Sequence, residues 1–204
     1  MKRLIIILSI TLFSFNYAIA QDWQKNIFGI QAGANMSNVS FAGIEGKTKI
    51  GFHVGANYQR LLSSSLPFYL ETGVLFTSKG YKMDYGKYDV SEDTWPSDAY
   101  YLEVPLMVNY KFKLSNSFKL YPAAGVYYAY GIAGESRDGE QCVDTFSDEG
   151  WAKRSDFGFR FALGTELKHF MLSIGYELGL INVYNDSADE AKNRNLFISV
   201  GYNF

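Results

Sequence analysis

Apolar and polar residues alternate along most of this chain with a period of two, which is the pattern of β-strands whose two faces meet different surroundings. In the first such segment Phe28, Ile30 and Ala32 alternate with glycine and glutamine. The pattern recurs in eight segments, at residues 27–36, 50–60, 68–79, 100–112, 119–132, 154–168, 170–182 and 195–204. Past residue 26 the sequence has no run of about 18 apolar residues, so it predicts no membrane-spanning helix. We therefore expect an all-β fold of eight strands.

The connections between these segments alternate between long and short. They contain about 13, 7, 20, 6, 21, 1 and 12 residues in chain order. A barrel gives this alternation when each strand pairs with the next, and one rim carries long loops while the other carries tight turns. The sequence therefore predicts an eight-stranded antiparallel up-and-down β-barrel, with both ends of the mature chain on the short-turn rim.

Glycine placement indicates which face of the barrel points inward. Twelve of the 19 glycines lie on the polar face of a predicted strand. A face in water has room for long side chains, whereas the interior of a narrow barrel does not. The small, polar face is therefore expected to line the lumen, which leaves the apolar face for lipid in a transmembrane barrel. The alternative is a soluble, lipocalin-like ligand-binding barrel, whose apolar face points inward.

Aromatic residues fall near both ends of the predicted strands, as in the interfacial girdles of transmembrane barrels. The turn end carries Tyr58, Phe68, Tyr110, Phe112, Phe170, Tyr202 and Phe204. The loop end carries Phe76, Tyr128, Tyr130, Phe157 and Phe159. Aliphatic residues lie between the two sets, so the sequence favours strands that cross a membrane.

Charged residues in strands three to seven share the glycine face, because a basic residue facing lipid near the bilayer centre costs about 2–4 kcal/mol. The lumen-facing set is Glu71, Lys79, Glu103, Lys111, Asp156, Arg160, Glu166, Lys168 and Glu177. Burying unpaired charges is costly, so we expect a lumenal network of ion pairs centred on Arg160 and Glu177. The residues expected to form it are Glu71, Glu103, Lys111, Arg160, Glu166 and Glu177. A charged path for small solutes through a narrow pore is the alternative interpretation.

Two prolines, Pro105 and Pro122, lie inside predicted strands. Proline has no backbone N–H, so each removes one hydrogen bond from the ladder. We therefore expect a local β-bulge at each proline.

The first 20 residues have the features of a secretory signal peptide. Lys2 and Arg3 precede an apolar stretch, and Ala18 and Ala20 supply the small residues of a cleavage site. We expect export from the cytoplasm, with a signal peptide at residues 1–20 and a barrel domain at residues 21–204.

Composition argues against several classes of function. The formal net charge is -2 and the sequence has no run of basic residues, so we expect no nucleic-acid binding. The single cysteine, Cys142, can form neither an intramolecular disulfide nor a thiolate metal cage. The two histidines, His53 and His169, have no serine and carboxylate at catalytic spacing. We expect no enzymatic activity, no catalytic residues, no cofactor and no bound metal.

The two longest loops are acidic and carry aromatic residues. The acidic residues in segments 84–98 and 135–149 are irregularly spaced, which favours solvated carboxylates over a divalent-cation site. Exposed aromatic residues on a rim are common in protein interfaces. The candidates here are Tyr85, Tyr88, Trp95, Phe146 and Trp151. The alternative is that they extend the barrel wall above the membrane.

Several strings of the sequence resemble a known family. They are YLEVPLMVNY (101–110), PAAGVYYAYG (122–131), DFGFRFALGTE (156–166), YELGLINVY (176–184) and SVGYNF (199–204). These strings resemble the outer-membrane β-barrel family of Bacteroidota that includes the PorT proteins. The resemblance implies a transmembrane barrel of OmpX- or OmpA-like architecture in the outer membrane. PorT itself looks like an accessory of a gingipain-type secretion system, but family membership implies fold and location rather than a task.

The last strand resembles the signal that outer-membrane assembly machinery reads, in which a final aromatic residue is typical. Tyr202 and Phe204 are the residues that carry this resemblance. The expected partners are outer-membrane lipid, the assembly machinery, and envelope or secretion-system proteins. We expect a monomeric, non-enzymatic outer-membrane protein with a side-chain-filled lumen, acting through extracellular loops or periplasmic turns.

Overall fold

A computed structural model describes most of the chain. The described residues are 23–41, 44–45, 47–63, 65–84, 94–138, 141–147, 152–184 and 190–204. The expected signal peptide lies outside the described residues. Among those that are described, no helix is long and apolar enough to cross a membrane.

Eight long strands form the wall of the fold. They are β1 (Asn26–Phe41), β2 (Lys47–Leu61), β3 (Phe68–Asp84), β4 (Thr94–Tyr110), β5 (Phe118–Asp138), β6 (Ser155–Leu167), β7 (Phe170–Gly179) and β8 (Ala191–Asn203). Three short segments add to this wall. Ile44–Glu45 pairs with β1, whereas Phe112–Lys113 and Gln141–Asp144 pair with β5.

The sheet closes on itself. Each long strand pairs antiparallel with the next, and β1 pairs antiparallel with β8 from Gly29↔Asn203 to Phe41↔Ala191. The predicted eight-stranded antiparallel up-and-down barrel is therefore confirmed. Closure gives the backbone groups of both terminal strands partners, as a sheet inside a membrane requires.

The barrel has a polar interior and an apolar exterior. Among the described residues, 22 buried side chains are polar or charged and 16 are hydrophobic. On β4, Leu102, Val104 and Leu106 are exposed, whereas Glu103 and Asn109 are buried. A soluble lipocalin-like barrel has the opposite arrangement. The apolar exterior is therefore the lipid-facing surface of a transmembrane barrel.

Rings gather on this outer surface at the turn end of the strands. Phe170 and Tyr202 have ring centroids 5.3 Å apart, and Tyr202 lies 5.2 Å from Phe204. Phe68 and Tyr110 are 4.8 Å apart. These rings form an aromatic girdle at the depth where the membrane meets water.

Four strands extend five or six residues further toward the loop rim than the alternation predicts, and β2 and β8 extend three and four residues further. Strands β1, β3 and β5 end at Phe41, Asp84 and Asp138, and β4 begins at Thr94. Backbone pairing continues in these extensions, for example between Asp84 and Thr94. Above the membrane both faces of a strand can be polar, so the period of two disappears while the ladder persists.

The prediction of a β-bulge at each of the two prolines is wrong. Pro105 and Pro122 pair in register with Tyr127 and Leu163. The β3–β4 ladder omits two pairs near Pro105 without a change of register, and the Thr72 hydroxyl donates to the Pro105 carbonyl at 2.9 Å. A missing N–H therefore interrupts the ladder without an inserted residue. The register shifts lie elsewhere, between Thr48 and His53 and between Tyr100 and Tyr101.

Lumenal glycines face large rings on neighbouring strands. The directly opposed pairs are Gly33–His53, Gly158–Tyr127, Gly164–Tyr121 and Gly175–Phe197. A Cβ atom added at any of these glycines would overlap the opposite ring. A glycine on one strand therefore leaves room for the large side chain on the neighbouring strand, so that these rings fit inside a narrow barrel.

We predict that Gly164→Leu destabilises the barrel, because the added side chain would displace the Tyr121 ring. Overpacking of this kind costs about 1–3 kcal/mol. The measurement is urea unfolding of purified protein in detergent micelles. Ala124→Leu, on the exposed outer face of β5, is the matched control and should unfold like the wild type. Equal unfolding midpoints for Gly164→Leu and the control would contradict the ring–glycine account.

Candidate functional site

The charged side chains of the lumen form two clusters. We define the central cluster as Lys79, Glu103, Asp156, Arg160 and Glu177, all of which are buried. We define the turn-side cluster as Lys111, Lys119 and Glu166, with Lys111 and Glu166 buried and Lys119 half-buried. Of the six network residues expected from sequence, Glu103, Arg160 and Glu177 lie in the central cluster and Lys111 and Glu166 in the turn-side cluster, whereas Glu71 belongs to neither.

A ring of four ion pairs forms the heart of the central cluster. Lys79 Nζ lies 2.7 Å from Glu103 Oε2 and 2.9 Å from Glu177 Oε2. Arg160 Nη1 lies 2.6 Å from Glu103 Oε1 and also pairs with Glu177 Oε1. Each carboxylate thus uses one oxygen for the lysine and the other for the arginine. Arg160 and Glu177 are directly opposed on β6 and β7, as the centre of the expected network requires.

Neutral groups complete the surroundings of these charges. Asn195 donates to Glu177 Oε2 at 2.9 Å. Tyr127 and Asn193 donate to Asp156 Oδ2 at 3.1 and 2.9 Å. Lys79 Nζ is 3.8 Å from the same Asp156 oxygen. The third carboxylate of the cluster is therefore held mainly by neutral donors, since both cations already bridge the other two.

Aromatic faces pack on the two cations of the central cluster. Lys79 Nζ lies 4.5 Å from the centroid of the Tyr127 ring. The Arg160 guanidinium carbon lies 3.9 Å from the centroid of the Phe197 ring. Such cation–π contacts help to compensate for the water that a buried cation has lost.

His53 belongs to a hydrogen-bonded chain beside this cluster. Its Nδ1 is 2.8 Å from Asn35 Oδ1, and its Nε2 is 2.7 Å from Ser199 Oγ. The Asn35 amide donates in turn to Thr77 Oγ1 at 2.7 Å. Both ring nitrogens of His53 are therefore engaged in contacts that join β1, β2, β3 and β8.

The turn-side cluster closes the other end of the lumen. Lys111 Nζ is 2.8 Å from Glu166 Oε2, and Lys119 pairs with Glu166 Oε1. Lys111 also lies 4.6 Å from the centroid of the Tyr69 ring. Glu71 accepts a hydrogen bond from Asn109 Nδ2 at 2.8 Å instead of joining either cluster directly.

A small cavity separates the two clusters. Its volume is about 20 Å³, and Glu71, Arg160, Tyr121 and Ser173 are among its lining residues. A space of this size holds about one water molecule. The part of the lumen that includes the two clusters is therefore packed with side chains on both sides of a water-sized gap.

The described residues 141–147 and 152, between β5 and β6, lie at the loop-side mouth of the barrel. Phe146 is 7% exposed, and its ring meets the Tyr101 ring edge-on with centroids 5.5 Å apart. Thr145 is fully buried and donates to the Asp98 carbonyl at 2.9 Å. Ala152 joins the same apolar core as Phe146 and Tyr101. We call Thr145, Phe146 and Ala152 the loop-side cap.

This arrangement corrects one expectation for the rim. Phe146 was expected as an exposed contact residue, but it is buried because the cap turns its side chain down onto Tyr101 and Gly131. Trp95 lies within β4, opposite Met83 on β3. The other three rim candidates, Tyr85, Tyr88 and Trp151, lie outside the described residues.

Lys168 is also not where the alternation places it. It is exposed in the tight turn between β6 and β7, with a φ of 54°. The strand ends one residue earlier at Leu167, so the inward–outward alternation no longer applies. Tyr202 and Phe204 lie in the turn-side girdle, and their role as an assembly signal stays a prediction.

Sequence reasoning undervalued several residues that the structure brings together. Lys79 and Asp156 were placed on the lumenal face but not among the main network residues. The inward positions of Tyr101 and Tyr127 were missed, although a strict period of two from Glu103 and from Gly125 points both inward. The period-two alternation is therefore enough to predict that the Tyr101 and Tyr127 side chains point inward, but not which residues they contact.

The closed wall, the lipid-facing apolar surface and the charged interior define an integral membrane β-barrel protein. Residues 19–185 match the family described as "Outer membrane protein beta-barrel domain". The chain belongs to this family, and its location is the outer membrane. No curated protein matches the sequence.

Two solved structures have a similar fold. The outer membrane protein OprG from Pseudomonas aeruginosa is 14% identical, with a TM-score of 0.53, and the match covers 91% of this chain and 99% of OprG. Neisserial surface protein A is 16% identical, with a TM-score of 0.51, and the match covers 87% of this chain and 97% of that protein. At this identity the likeness concerns the fold alone.

We predict that Arg160→Met strongly destabilises the barrel, because it leaves Glu103 and Glu177 with one cation between them. Removing one partner of a buried ion pair costs about 3–5 kcal/mol. Unfolding free energies in detergent or lipid vesicles test this. The exposed Lys153→Met is the control for loss of a surface cation.

The double variant Arg160→Met/Glu177→Gln separates pairing from simple loss of packing. It removes one carboxylate together with the cation, so it should lose less stability than the sum of the two single variants. Strictly additive losses, or a wild-type stability for Arg160→Met, would contradict the ion-pair ring.

Proposed function

We propose that this protein is a non-enzymatic outer-membrane barrel whose lumen is a structural core and whose rims make its functional contacts. The observation that carries the proposal is the succession of groups that fill the lumen. From the loop side these are the cap with Phe146, the central cluster and the turn-side cluster. The extracellular loops or the periplasmic turns are then the surfaces through which it acts on other envelope components.

The size of the cavity between the two clusters supports this assignment. Pockets that hold small organic ligands usually measure about 300–1,000 Å³. The cavity between the two clusters measures about 20 Å³. Each carboxylate of the ion-pair ring pairs with a cation through both of its oxygens, which suits a structural role.

A more specific role follows from the resemblance to the PorT-containing family of Bacteroidota. On that basis the partner is an envelope or secretion-system protein, and this chain is an accessory to its work. The strings at residues 101–110 and 156–166 support this proposal because they carry the most specific part of the resemblance.

The barrel wall also favours a monomer. Because β1 and β8 pair along 13 residue pairs, the wall offers no open strand edge there to a second copy. The partners in this proposal are therefore surrounding lipid, the assembly machinery during insertion, and proteins that meet the rims.

The alternative function is a narrow pore for small solutes. The observation that favours it is the polar lining of the lumen, with a water-sized cavity between the clusters. Conduction would require both the loop-side cap and the ion-pair ring to open.

The rim contact can be tested by cross-linking in intact cells. Tyr85→Ser/Tyr88→Ser should reduce the yield of a specific cross-linked protein about tenfold or more, since aromatic residues often dominate binding energy. Leu62→Ser/Leu66→Ser, at the exposed β2–β3 turn, is the matched change on the opposite rim. A loss confined to the second pair would assign the contact to the periplasmic turns. If neither pair changes any cross-linked partner, the proposal of rim contacts fails.

A further inference from the structure

The outer wall at β1, β2, β7 and β8 carries two recesses. The first lies at the short-turn rim, measures about 180 Å³ and is lined by Lys25, Asn26, Arg60 and the chain from Leu61 to Ser63. We call it the basic pocket. The second lies on the wall itself, measures about 330 Å³ and includes Ile30, Ala32, Val54, Phe170, Val200 and Tyr202. We call it the apolar groove.

The register of β1 and β2 places the two recesses on one line. From the rim upward the opposed outward pairs are Asn26↔Arg60, Phe28↔Tyr58, Ile30↔Ala56 and Ala32↔Val54. Successive pairs are about 7 Å apart along a strand. One ring pair, Phe28 with Tyr58, separates the basic pocket from the apolar groove, and its centroids are 4.9 Å apart.

The groove exists because a small residue is set among larger ones. Ala32 is opposed by Val54 on β2 and by Val200 on β8. The wall is therefore recessed at Ala32, while Ile30, Val54 and Val200 are each about half exposed around it. At this depth the surroundings are lipid tails, so the groove matches a hydrocarbon chain.

The chemistry of the basic pocket matches a phosphate. Lys25 and Arg60 are both exposed cations, and none of the described residues that line the pocket is acidic. Arginine binds phosphate oxygens through two parallel hydrogen bonds. The Tyr58 hydroxyl donates to Asn26 Oδ1 at 2.8 Å, which turns the Asn26 amide N–H groups away from Tyr58. Position adds to this, because the pocket lies directly outside the aromatic pair Phe28 and Tyr58, at headgroup depth.

We propose that this face binds one anionic phospholipid of the periplasmic leaflet, with its phosphate between Lys25 and Arg60 and an acyl chain in the groove at Ala32. Neither recess alone requires a lipid. A basic pocket suits any soluble phosphate, and an apolar groove suits any membrane hydrocarbon. In a phospholipid the headgroup is joined to its acyl chains. A basic pocket and an apolar groove separated only by Phe28 and Tyr58 match that arrangement.

Native mass spectrometry of the purified, folded protein in detergent tests the site with added phosphatidylglycerol. Lys25→Gln/Arg60→Gln should weaken retention of one lipid molecule about thirtyfold, since each cation near a membrane surface contributes to binding anionic lipid. Lys113→Gln/Lys168→Asn removes two other cations from the same rim and should retain the lipid. Unfolding midpoints of all variants show whether they are equally folded.

A second pair of variants tests the groove. Ala32→Phe should fill it and lower lipid retention, whereas Ala124→Phe, on the outer face of β5, should not. Soluble glycerol phosphate is the competing probe for a simple anion site. Unchanged retention in Lys25→Gln/Arg60→Gln would overturn the headgroup assignment. If Ala32→Phe retains the lipid as the wild type does, and glycerol phosphate binds as well as phosphatidylglycerol, the site binds a soluble anion and the lipid proposal is wrong.

Discussion

The ion-pair ring of Lys79 and Arg160 with Glu103 and Glu177 is the interaction on which the rest of the lumen depends. Four charges lie inside a barrel whose wall faces hydrocarbon, so none can be left without a partner at low cost. The ring pairs both oxygens of each carboxylate with a cation and draws together β3, β4, β6 and β7. Opposite sides of the barrel are thus joined through its centre as well as around its wall.

The ion-pair ring also depends on aromatic side chains that pack inside the lumen. Tyr127 and Phe197 cover the two cations, and each lies opposite a glycine on a neighbouring strand. Larger residues in place of Gly158 or Gly175 would displace those side chains from the cluster. Glycines in these strands therefore leave room for the aromatic side chains that pack on the buried cations, in addition to indicating a narrow barrel.

Much of the fold follows from the period of two, because inward and outward environments differ so strongly in this barrel. The number of strands, their order and the direction of Arg160 and Glu177 were predictable for that reason. The contact of Lys79 with Glu177 was not, because β3 and β7 are not neighbours and no alternation states which side chains meet across a lumen. The burial of the Phe146 side chain could not be predicted either, since it depends on the conformation of the loop at the mouth of the barrel.

The most direct test of a filled lumen is ion conductance of the purified, folded protein in a planar lipid bilayer. We expect no steady current above that of the bare membrane, because Phe146, the ion-pair ring and the turn-side cluster occupy successive levels of the lumen. Stable, reproducible single-channel steps from the wild-type protein would contradict it.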